Sequence, residues 1–139
     1  MLMLFIFIFQ TVMDRFVIHF DYGGYYSDEG DEVRWNKKER GVCSLVMKGK
    51  LEEITYCHLL DRIKRKIMVD EDTTKLQLSY IPLIVDPKRP SYILDDEDVL
   101  VYLMEVNNDQ CRSVLHDHLL YFVYVLWLLC VFVQLCMLF

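Results

Sequence analysis

Four short runs in this chain hold residue types that could do chemistry. His116-Asp117-His118 places two imidazoles one residue apart, with a carboxylate between them. In a strand the two rings share a face, as two ligands of a zinc ion would. No further ligand cluster accompanies them in the sequence, so no metal is expected. Cys57-His58 sets a thiol beside an imidazole. On a helix, adjacent residues point about 100° apart and do not face each other, so this is not a nucleophile with its base.

Asp95, Asp96, Glu97 and Asp98 are four consecutive carboxylates. They lack the glycine and spaced ligands of a calcium loop. Helix capping accounts for them, because carboxylates in a first turn meet unpaired N–H groups and the positive end of the dipole. As a binding patch they would take a basic partner, and salt would weaken the contact. Arg62, Lys64, Arg65 and Lys66 make a basic helix face. A solvated surface is its plain meaning, with an acidic partner or DNA as the functional one. No aromatic interleaving or nucleic-acid motif goes with it, so nucleic acid is not expected as a partner. With no nucleophile–base pair, metal set or phosphate loop in view, neither an enzyme nor a cofactor is expected. These eight charged residues are the candidates for contact with a protein partner.

The elements that position them follow from periodicity. Phe16, Ile18, Phe20 and Tyr22 alternate with Val17, His19 and Asp21 as a first strand, which Gly23-Gly24 ends. Tyr25 to Arg40 reads as a long connection, swinging from acidic to basic, with Tyr25, Tyr26 and Trp35 as anchors. Val42 to Lys48 is a second strand, with Cys43, Leu45 and Met47 on one face. Thr55 is the expected N-cap of a helix reaching about Met68, stapled by Ile54 and Leu59. Its apolar stripe is Tyr56, Leu59, Leu60, Ile63 and Ile67. After a polar turn at 69–74, Leu76, Leu78 and Tyr80 mark a third strand that Pro82 stops. A proline-bearing loop, a short strand at Tyr92–Leu94 and a helix capped by Asp95 come next. That helix presents Val99, Leu100, Leu103 and Met104, and Asn107-Asn108 suits a left-handed stop. Cys111 to Leu115 closes the sheet. The order ββαββαβ predicts an α+β fold, a ubiquitin-like β-grasp with helices on one face of a largely antiparallel sheet.

Composition divides the 139 residues into three. All charged residues lie between Asp14 and Asp117, and the net charge is -6, which argues against a grip on nucleic-acid backbone. Residues 1–12 are an apolar extension, with Met13 read as the start of the domain at 13–118. Residues 119–139 carry no charge and Gln134 is their one polar residue. As a single helix they would measure about 31 Å, so a transmembrane tail and membrane localisation are expected if that segment is translated. Otherwise the place is nuclear or cytoplasmic. Five cysteines form no CxxC pair and read as free thiols.

The middle of the chain also resembles a known family. RFVIHFDYGG, ITYCHLLDRIKRKIMVDEDTTKLQLSYIPL and YILDDEDVLVYLMEV are similar to the N-terminal domain of plant Mutator-like element transposases. That domain is a plant variant of the Phox-and-Bem-one interaction fold. The resemblance implies a β-grasp protein-interaction module without the parent's DDE catalytic domain or CCHC zinc knuckle. In the wider fold, an acidic motif on one molecule meets a lysine on the first strand of another. Here Asp95 to Asp98 match only the latter part of that motif, and the first strand carries Arg15 rather than lysine.

Overall fold

The computed structural model describes residues 15–38, 41–70 and 75–138. The expectations for the apolar head, 1–12, and for the turn at 71–74 lie outside the described residues.

β1 (Arg15–Tyr22) buries Ile18 and Phe20 on one face and leaves Arg15, Val17 and His19 exposed on the other. β2 (Tyr25–Glu29) and β3 (Glu32–Asn36) then form a separate two-stranded hairpin. β4 (Cys43–Lys48) pairs antiparallel with β1 and buries Leu45 and Met47, the face the alternation predicts. A single 3-10 turn (Leu51–Glu53) leads into α1 (Tyr56–Ile67). Thr55 caps α1 by accepting the His58 N–H at 3.1 Å, and Ile54 and Leu59 are both buried, as a staple requires. β5 (Leu76–Tyr80), β6 (Ser91–Ile93), α2 (Asp96–Met104), β7 (Leu115–Leu119) and α3 (Leu120–Met137) follow.

Among the described residues the fold is α+β: a mixed five-stranded sheet in the order β4-β1-β7-β5-β6 and the β2–β3 hairpin, with three α-helices. β1 and β7 run parallel, and the other pairs in this sheet are antiparallel. The main core lies between the sheet and the first two helices. Ile18, Phe20, Leu45, Met47, Leu78 and Leu115 meet Leu59 and Ile63 of α1 and Val99, Tyr102 and Leu103 of α2.

Five expectations are corrected. The connection at 25–40 is largely the β2–β3 hairpin. Glu29 pairs with Glu32 across a two-residue turn, with Gly30 at φ +66° in the first central position that favours glycine. The closing strand is Leu115–Leu119, not Cys111–Leu115. The residues before it are pinned crossing the end of the core: Arg112 donates to the Leu103 carbonyl at 2.9 Å and Ser113 to that of Ile81 at 2.8 Å. Asn107-Asn108 is not a left-handed stop. α2 ends at an extended Glu105, the left-handed residue is Gln110, and the Asn107 side chain accepts the N–H groups of Asp109 and Cys111. Met104 is exposed, and Tyr102 takes the core position, donating its hydroxyl to the Ser113 carbonyl at 2.9 Å.

The fifth correction concerns the tail. Leu119 belongs to β7, so the apolar run is divided between strand and helix. α3 has 18 residues, about 27 Å at 1.5 Å each, less than the roughly 30 Å hydrocarbon core. Among the described residues no helix is long and apolar enough to cross a membrane.

Candidate functional site

The hairpin covers the face of the sheet opposite the helices. Asp21 of β1, Ser79 of β5 and His116 of β7 all point to that face, and all are buried. Trp35 donates its indole N–H to Asp21 at 2.5 Å and stacks flat on His116. Tyr26, opposite Trp35 in the hairpin, sets its hydroxyl 2.6 Å from Ser79 Oγ and 3.0 Å from His116 Nδ1. Gly24 permits this approach, because a Cβ there would run into the Asn36 carbonyl oxygen and the Trp35 ring. The layer is an aromatic clamp in which Asp21, Ser79 and His116 Nδ1 are paired, while the buried Nε2 of His118 has no hydrogen-bond partner.

His116 and His118 share a face, as the strand period predicts, but that face is closed by Tyr26 and Trp35. Burial, with the charges of His118 and Lys37 adding to it, pushes His116 down to about 4. Burial likewise lowers His118. Tyr26 is pushed up to about 12, chiefly by burial. Both rings are therefore neutral at neutral pH. Asp117 points the other way, into the core beside Tyr22 and Leu78. It is 0 % exposed, and neither carboxyl oxygen has a hydrogen-bond partner. Burial first, then the charge of Asp21, raises its pKa well above the ordinary carboxylate value. Among the described residues, no group of three or more His, Cys, Asp or Glu could hold a metal ion. Cys57 and His58 are both exposed on the first turn of α1.

The acidic run gathers at the N-terminus of α2, and three of its four carboxylates are occupied by backbone. Asp95 accepts the Asp98 N–H, and Asp98 in return accepts that of Leu94, each at 2.9 Å. This is a reciprocal arrangement of the capping-box kind. Asp96 reaches across to accept the Tyr56 N–H at 2.7 Å, so it sits at the N-termini of both helices. Glu97 is exposed. On α1, Arg62 donates to the Val46 carbonyl of edge strand β4 at 3.0 Å, and Arg65 donates to Asp61 one turn earlier. Lys64 is half-buried and Lys66 exposed. The acidic and basic groups thus do not converge: one sits where α1 begins, the other toward its end.

A surface that the sequence reading passed over lies between β5 and β6. Lys88 Nζ donates to the carbonyls of Pro82, Leu83 and Val85 and pairs with Asp86 at 3.2 Å. The chain therefore wraps around one ammonium and turns Leu83, Ile84 and Val85 outward, the latter two 74 % and 60 % exposed. Glu105 accepts the Leu83 N–H at 2.7 Å, bringing the end of α2, with exposed Val101 and Met104, up to this finger. The Lys88 carbonyl accepts the Val33 N–H, which ties the finger to the hairpin as well. A shallow cavity of about 310 Å³ lies at its base, between Pro82, Lys88 and His116. The available signal was an apolar tripeptide inside a proline-bounded loop.

Residues 65–120 match the family model of a plant specific N-all beta domain. The matched span is similar to that plant-specific domain and runs from the last turn of α1 through β5, the finger, β6, α2 and β7. No curated protein sequence matches the chain.

Proposed function

We propose that this chain is a non-catalytic protein-interaction module on a ubiquitin-like β-grasp, related to the N-terminal domain of plant Mutator-like transposases. The grasp reading is supported by the sheet order, in which β7 lies between β1 and β5 and runs parallel to β1. The β2–β3 hairpin is then an insertion between the first two strands of the grasp. The match to a plant-specific domain agrees with a plant origin.

One observation carries the interaction reading: Leu83, Ile84 and Val85 are held outward by Lys88 rather than folded under. Burying such side chains against water gains about 1.5–3 kcal/mol each, so a loop built to expose them suits a contact with another protein. The acidic run is the weaker candidate, since Asp95, Asp96 and Asp98 already accept backbone N–H groups. A DNA-binding role has less support still: Arg62 and Arg65 are engaged with carbonyls, and the net charge is -6.

The test is proximity labelling in plant cells with the full chain and with an Ile84→Asp, Val85→Asp double variant. The variant should lose a discrete set of partners while its circular dichroism and melting are unchanged. Identical partner sets from the two chains would defeat the reading.

A further inference from the structure

α3 bears apolar residues on every side. Trp127, Leu128, Leu129, Phe132, Val133 and Met137 are all exposed, and at about 100° per residue they encircle the helix. A helix that is apolar all round needs cover all round. A second copy or a grooved protein would bury one stripe and leave the rest in water. Lipid hydrocarbon surrounds a helix completely.

Length and charge point the same way. α3 as a whole measures about 27 Å, short of a roughly 30 Å hydrocarbon core. α3 leaves the sheet at the C-terminal end of β7, where Leu119 pairs with Leu76. Lys75 precedes Leu76 and is exposed. Lys38 lies against Gly23, whose N–H donates to the Asp117 carbonyl two residues before Leu119. Lys37 adjoins Lys38 in sequence and is exposed. Lys75, Lys37 and Lys38 therefore lie toward the end of the sheet from which α3 leaves, where lipid phosphates would lie.

We propose that α3 anchors the domain to a phospholipid bilayer by inserting into its hydrocarbon from one side without crossing it. The exposed side chains from Trp127 to Met137 embed, and the lysines toward the base of the helix rest among headgroups. Apolar insertion carries the binding and the lysines add a salt-sensitive part.

The experiment is flotation of the full chain with phosphatidylcholine vesicles, with and without phosphatidylserine. The chain should float with both, and more strongly with the anionic lipid at low salt. Trp127 emission should shift to the blue on adding vesicles, and Trp127→Phe should abolish that shift while flotation persists. A Phe132→Asp, Val133→Asp variant should lower partitioning about a hundredfold or more. Its melting should match the wild type, which separates lost insertion from lost folding. Three results would overturn the proposal: a chain that stays in the aqueous phase, a helix pairing with a second copy that lipid does not displace, or a C-terminal tag exposed on the far side of the bilayer.

Discussion

Trp35 lies flat on His116, ring centroids 4.3 Å apart and planes 5° from parallel. The contact joins the β2–β3 hairpin to the central strand of the five-stranded sheet, and the bond from Trp35 to Asp21 fixes its direction. Removing the indole frees Asp21 and uncovers His116 and His118 together. Trp35→Ala should therefore cost about 3–5 kcal/mol, the range for a large buried aromatic. Chemical denaturation reads the loss. Hydrogen exchange should show β2 and β3 unprotected while β5 keeps its protection.

Acid should act through the same layer. His116 is held at about 4 in the folded chain, against 6.5 when free. Between those values the unfolded chain binds a proton that the folded one refuses, so stability falls as pH drops. The contribution is whole above pH 6.5 and is lost progressively toward pH 4. His118 is lowered too and acts with the same sign. Replacing His116 with Gln should flatten the acid limb of a plot of stability against pH.

Asp117 runs the opposite way. Its folded pKa is raised, so above 3.8 the unfolded chain gives up a proton that the folded chain keeps. Stability then declines as pH rises. Asp117→Asn should stabilise the protein at neutral pH and give no gain below pH 3.8, where both states are protonated. In that variant the histidine effect stands alone, so the rise in stability between pH 4 and pH 6.5 should be steeper than in the wild type. Thermal melts across the pH range decide both points.

The acidic run offers a test within one turn of helix. Asp96 accepts the Tyr56 N–H, and Glu97 beside it is exposed. Asp96→Ala should cost about 1 kcal/mol, as the loss of a cap does, and Glu97→Ala should cost nearly nothing. Equal losses from the two, measured by urea denaturation, would mean that general charge at the helix end matters and the single bond does not.

Much of the framework was legible because local rules and tertiary packing agree there. Thr55 and Asp95 cap the helices the sequence assigns to them, and Leu45 and Met47 face the core as their alternation says. The hairpin escaped because its strands are polar and short, and their burial depends on partners far along the chain. Tyr26 looks like a surface residue until Ser79 and His116 are placed beside it. β7 was displaced for a related reason. His116-Asp117-His118 has no apolar alternation to mark a strand, and its place depends on β1, β5 and the hairpin closing around it. The Lys88 finger rests on carbonyl bonds, and side-chain identity says little about where carbonyls point.

The slot that β7 fills carries a consequence for biosynthesis. Until Leu115–Leu119 emerges from the ribosome, β1 with β4 and β5 with β6 are two antiparallel ribbons that share no edge. The nascent polypeptide must therefore wait for nearly all of its described length before the sheet can close. Closure of that kind, across large sequence separation, is slow and leaves β1 and β5 open to mispairing meanwhile, so chaperone dependence should centre on these two unpaired edges.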